Sequence, residues 1–78
     1  MNDILWNKIS LSEFRSLTCL TDEENIVLED WAHDKSIVST AMKCHISTRQ
    51  VDRIRDQIRR KYDDIQIYTP LLSKRNIS

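Results

Sequence analysis

The chain has 78 residues, with 12 basic side chains balancing 12 acidic ones, no Gly, a single Pro and two Cys. That length holds one domain with a modest core, and the lack of Gly argues against hairpin-rich and β-sandwich folds, whose tight turns need positive φ. No stretch approaches a membrane span, no signal-peptide pattern opens the sequence, and two Cys are too few for a secreted disulfide framework, so a cytoplasmic protein with reduced thiols is expected.

The zero net charge conceals an uneven distribution. Residues 1–46 carry four basic residues (Lys8, Arg15, Lys35, Lys43) and eight acidic ones, whereas residues 47–62 carry Arg49, Arg53, Arg55, Arg59, Arg60 and Lys61 against only Asp52 and Asp56. A chain polarised in this way can steer its basic part toward an anionic partner.

In chain order, residues 3–18 read as one or two short helices. Ile4, Leu5, Ile9, Leu11, Phe14 and Leu17 are spaced for an apolar stripe, and Ser10 or Ser12 is the expected cap of the second piece, Ser10 having Glu13 three residues on. Thr21 is the expected N-cap of a helix from Asp22 to about His33. Glu24 completes a capping box, and Asp22 and Glu23 favour the positive end of the helix dipole. Its buried stripe is Val27, Leu28 and Trp31, and Asp34 stands where the helix must stop, in a residue type that tolerates the left-handed conformation. Ser36 caps the next helix, Ile37 to Lys43, whose inner face is Ile37, Thr40, Ala41 and Cys44. After a break at Cys44-His45-Ile46, Ser47 caps the longest helix, Thr48 to Asp63, with Val51, Ile54, Ile58 and Tyr62 forming one stripe through four turns. Ile65-Gln66-Ile67-Tyr68 alternates and is β-prone. Thr69-Pro70 requires extended backbone, and Leu71-Leu72 leads into a polar tail, Ser73 to Ser78, expected to fray.

A short helix, a tight turn and a second helix with an exposed polar face make a helix-turn-helix, whose second helix can enter the major groove of DNA. Ala41 supplies the small residue such a crossing needs, Ile46 the apolar plug in the turn, and Ser47 the cap of the second helix, with its amides and hydroxyl near phosphate. From Leu20 to Tyr62 the chain resembles the LuxR-type (GerE-like) helix-turn-helix domain. The residues that carry the likeness are Leu20-Thr21-Asp22-Glu23-Glu24, then Val27-Leu28, Ala41, Ile46-Ser47, Gln50-Val51, Ile58 and Lys61-Tyr62. Ile46 to Ile54 equally resembles region four of bacterial sigma factors, which binds promoter DNA on the same trihelical fold. The sequence departs from the pattern at Asp34, where a Gly is usual, at Thr40 and Cys44, where apolar residues are usual, and at Asp52 and Asp56, which fall on positions that face DNA in the family. The family's receiver or ligand-binding domain is not among these residues, so a regulator of this kind is expected to take its signal by another route. Size and resemblance suit a regulator carried by a phage or mobile element.

The expected fold is therefore all-α, a small helical bundle containing a trihelical helix-turn-helix. A helical N-terminal extension (1–19) precedes the helix-turn-helix domain (20–64), and an extended tail (65–78) follows it, within one compact unit. The expected function is DNA binding and transcription regulation through the major groove. Arg49 and Arg53 are the candidates for base edges, Thr48, Arg55, Arg59 and Lys61 for phosphate, and Ser47, Gln50, Asp52 and Asp56 complete the DNA-facing set. A carboxylate repels phosphate but can accept from a cytosine amino group. The alternative for this face is a solvated helix surface, although like-charge pairs at i, i+4 such as Arg49/Arg53 and Asp52/Asp56 are unfavourable on a free helix.

Double-stranded DNA is the expected partner, bound by a homodimer on a two-fold site, with residues 65–72 a candidate for dimer contact or for capping the core. A sigma-like or adaptor module that binds RNA polymerase or another regulator is the second possibility, motivated by the acidic first half and by Asp52 and Asp56. Trp6 and Trp31 read as packing residues rather than base-stacking ones. Cys19, Cys44, His33 and His45 lack the paired short spacings of a zinc site, Asp63-Asp64 reads as a solvated pair, and no catalytic motif is present. Neither enzyme activity nor a cofactor is expected.

Overall fold

The computed structural model describes residues 4, 6–70 and 72. Among them are four α-helices, α1 (Lys8–Leu17), α2 (Asp22–Ala32), α3 (Ile37–Cys44) and α4 (Thr48–Ile65), followed by a single 3₁₀ turn, Gln66–Tyr68, and no strand. Helix α4 is the axis of the bundle and packs against α1, α2 and α3, while α2 and α3 also touch each other. Leu5, Leu71 and the tail Ser73–Ser78 lie outside the described residues.

Each helix starts where a side chain satisfies amides that have no intrahelical partner. Thr21 and Glu24 form the expected reciprocal capping box, Glu24 N–H to Thr21 Oγ1 at 3.1 Å and Thr21 N–H to Glu24 Oε1 at 3.0 Å. Ser36 and Ser47 accept from the amides of Ser39 and Gln50 at 3.0 and 3.1 Å. At α1 the cap is Asn7 rather than Ser10 or Ser12. Ser10 takes the third helical position, and the two residues bond each other's amides at 2.8 and 2.9 Å. An Asn three residues before a Ser makes the same reciprocal pair as the usual capping box, and it closes one turn earlier.

Helices α2 and α3 end in the same way, each without a Gly. Asp34 and His45 adopt left-handed φ of 60° and 59°. Lys35 N–H then reaches back to the Asp30 carbonyl at 2.9 Å, and Ile46 N–H to the Ala41 carbonyl at 3.0 Å. This bond, with the shorter-range one from the left-handed residue, is the Schellman arrangement. It reverses the chain within a few residues, so that α3 packs against both α2 and α4.

The core is Phe14, Val27, Leu28, Trp31, Ala41, Val51, Ile54, Ile58 and Tyr62, closed at its ends by Ile4 and Leu72. All four residues of the α4 stripe are buried. Trp6 stands edge-on to Phe14, Trp31 and Tyr62, with centroids 5.3–5.7 Å apart, the geometry preferred by aromatic quadrupoles. Two sequence-based expectations fail at the margins. Ile9 and Leu17 point outward, 64% and 45% exposed, because α1 buries only one narrow side, through Ser10 and Phe14. The β-prone run 65–68 is not extended: Ile65 ends α4 and the next three residues form the 3₁₀ turn, since no neighbouring strand is available and continuing the turn bonds Gln66 N–H to the Tyr62 carbonyl. Backbone becomes extended at Thr69, before Pro70.

Candidate nucleic-acid interface

The site is the surface of α4 turned away from the core. With 100° per residue, Arg49, Asp52, Arg53, Asp56 and Arg60 fall on the side opposite Val51, Ile54, Ile58 and Tyr62, and all five are exposed. Thr48 is exposed at the start of the helix and Gln50 half-buried at its flank. The Ser47 hydroxyl is engaged as the cap acceptor. Arg49, Arg53 and Arg60 make no ion pair with another described residue, whereas Asp56 is held by Arg59 at 2.6 Å. Arg60 is not in the DNA-facing set expected from the sequence, although its spacing from Arg49, Arg53 and Asp56 places it on their face.

The other basic residues of α4 are used inside the molecule, which alters the expected set of phosphate contacts. The guanidinium carbons of Arg55 and Arg59 lie 5.0 and 4.9 Å from the Trp31 ring centroid, a cation–π arrangement. Arg55 also donates to the Lys35 carbonyl at 3.2 Å. Lys61 reaches the two Glu24 oxygens at 2.9 and 3.1 Å and the Cys19 carbonyl at 3.0 Å. Arg55, Arg59 and Lys61 therefore brace α4 against α2 and the chain around it, and the open cations are Arg49, Arg53 and Arg60. The sequence cannot distinguish the two groups because the partners come from Cys19, Glu24, Trp31 and Lys35, far along the chain.

Two buried carboxylates hold the scaffold behind this face. Burial penalises the charge of Asp30, but hydrogen bonds from Lys43 and Thr40, both at 3.0 Å, outweigh the penalty and hold its carboxyl below the ordinary value. Thr40, polar where the resembled family is apolar, is fully buried as a donor to this carboxylate. Glu24 is likewise penalised by burial, and Lys61 and the Thr21 cap together lower its pKa. On the surface, the hydrogen bond from Arg15 lowers that of Glu29. With Ile26, Asn25 and Lys43, Arg15 and Glu29 line an open groove of about 380 Å³ that takes no residue from α4.

Comparison with protein-family models, with curated proteins and with solved structures returns no match. Among the described residues no helix is long and apolar enough to cross a membrane, and no three His, Cys, Asp or Glu side chains are grouped to hold a metal ion. Cys19 and Cys44 are free thiols.

Proposed function

We propose that the chain is a DNA-binding helix-turn-helix protein, a small transcription regulator in which α4 lies in the major groove and α3 braces it across the backbone. The observation that carries this reading is the open cationic face of α4. Arg49, Arg53 and Arg60 are exposed and without an ion pair to another described residue, on a helix whose opposite side is wholly buried. With Asp56 paired to Arg59, these three guanidinium groups outnumber the one remaining carboxylate of the face, Asp52, and a phosphate-rich groove complements the net positive charge. The short α3, the left-handed turn at His45 and the Ser47 cap suit a helix-turn-helix, two helices joined by a turn of a few residues. The resemblance of residues 20–62 to the LuxR-type domain, and of residues 46–54 to sigma region four, supports the same reading. One copy offers few contacts, so binding as a homodimer on a two-fold site belongs to the proposal.

The test is selection from a random duplex library at two salt concentrations, comparing the wild type with Arg49→Ala/Arg53→Ala. An enriched motif that the double variant loses, with affinity falling steeply as salt rises, is the expected result. No retained duplex even at low salt would sink the reading. A second reading, an adaptor that docks on RNA polymerase or another regulator, has one specific observation in its favour: Val38 and Met42, one turn apart on α3, are 58% and 73% exposed. Capture of a protein partner that Met42→Glu abolishes, with no duplex retained by the wild type, is the outcome that selects it.

A further inference from the structure

Asp52 is the anomaly on the α4 face. A carboxylate there costs affinity for any DNA by repelling phosphate, in a helix otherwise open with arginines. The two acidic residues of the face are not equivalent. Asp56 is neutralised by Arg59, at 2.6 Å, whose guanidinium also rests on Trp31. Asp52 is exposed and makes no hydrogen bond or ion pair with another described residue, although Arg49 and Arg53 stand beside it at i−3 and i+1. It sits in the second turn of the helix, among the positions that reach base edges when a helix of this kind enters the groove.

We infer that Asp52 is a specificity-determining residue that accepts from the exocyclic amine of a cytosine, with Arg49 and Arg53 donating to neighbouring guanines, so that α4 selects a G·C-rich half-site. The inference rests on the DNA-binding reading and sharpens it. In the major groove only cytosine N4 and adenine N6 protrude as donors. Adenine N6 lies beside N7, an acceptor that repels a carboxylate, while the cytosine edge next to N4 carries only a C–H. An arginine pairs best with guanine O6 and N7, so the run of donor, acceptor and donor on α4 complements guanine, cytosine and guanine edges. The charge of Asp52 also acts against wrong sites: wherever no amine meets it, the carboxylate is left unpaired against a polyanion.

The experiment is library selection with the wild type, Asp52→Asn and Asp52→Ala, followed by affinities for the selected duplex and for random duplex at fixed salt. Asp52 is exposed, so both variants should melt as the wild type does. The wild type should select a cytosine at one position, preferring it about tenfold or more over the other bases. Asp52→Asn should change that one position to adenine, whose N6 and N7 a carboxamide pairs with bidentately. Asp52→Ala should leave the position unselected while binding random duplex more tightly. An identical motif from all three proteins overturns the inference and leaves the DNA-binding reading standing. No duplex retained by the wild type at low salt overturns both.

Discussion

His45 and Asp34 carry a cost that a Gly would not. Each is an L-residue held at positive φ, a conformation that costs about 1–2 kcal/mol in Cβ–carbonyl crowding. Each is needed because the chain must reverse after α2 and α3 and has no Gly to do it with. His45 is exposed at the turn and makes no side-chain hydrogen bond with another described residue, so His45→Gly should relieve the crowding. Set against the greater freedom of Gly in the unfolded chain, the net gain is about 0.5–1 kcal/mol, read as a higher urea midpoint at unchanged slope. His45→Val should move the midpoint the other way, because a β-branched residue fits this region worst. Thr40 poses the converse case, a polar residue inside the core. Thr40→Val keeps the shape but removes the donor to Asp30, and a buried carboxylate short of one hydrogen bond should destabilise the fold by about 1–3 kcal/mol in denaturant titration. A variant as stable as the wild type would mean that Lys43 alone satisfies Asp30.

At the scale of the element, α4 is two structures on one helix: a stripe that closes the core and a sleeve of cations that divides into braces and open groups. Lys61 is the clearest brace. Its ammonium satisfies a carboxylate that is only 5% exposed, so Lys61→Met should leave the Glu24 charge without its cation and lower stability by roughly 1–3 kcal/mol; under the DNA-binding proposal, the slope of duplex affinity against salt should stay that of the wild type. If Lys61 instead met phosphate, the variant would lose close to one counterion from that slope. The caps Thr21, Ser36 and Ser47, the left-handed stop at Asp34 and the stripe Val51–Ile54–Ile58–Tyr62 were legible in the sequence because each depends on residues within one or two turns of each other. What was not legible depends on distant neighbours. Ile9 and Leu17 have the right spacing for burial but no helix to bury against. Ile65 to Tyr68 has β propensity but no strand to pair with. Arg55, Arg59 and Lys61 look identical to Arg49 and Arg53 until Trp31, Lys35, Glu24 and Cys19 are brought beside them. The open face was legible as a basic helix, and only its division between structure and surface required the fold.

For the whole molecule, acid should be the weak point, and the sign follows from the carboxylates that tie the helices together. Glu24 joins the start of α2 to the end of α4, Asp30 joins α2 to α3, and Glu29 joins α2 to α1. All three have folded-state pKa values below their ordinary 4.5, 3.8 and 4.5 respectively. A group whose pKa is depressed on folding contributes stability that is present in full above its unfolded value and is lost as pH falls through the folded one. Stability should therefore change little on this account from pH 7 down to about 5 and then drop steeply below 4.5. Glu24 and Asp30 should dominate the drop. Both are buried, whereas the side chains of Arg15 and Glu29 are 37% and 46% exposed, where solvent and salt screen the pair to a small contribution. Thermal melts of the wild type, Glu24→Gln, Asp30→Asn and Glu29→Gln between pH 3 and 7 separate these contributions. Glu24→Gln and Asp30→Asn should start lower at pH 7 and show a shallower acid slope, because the proton that each carboxylate would take up is no longer linked to unfolding. Glu29→Gln should run nearly parallel to the wild type. Equal acid slopes in all four proteins would mean that the helices are held by the apolar core alone, and that the buried carboxylates fix only which side of α4 is left open.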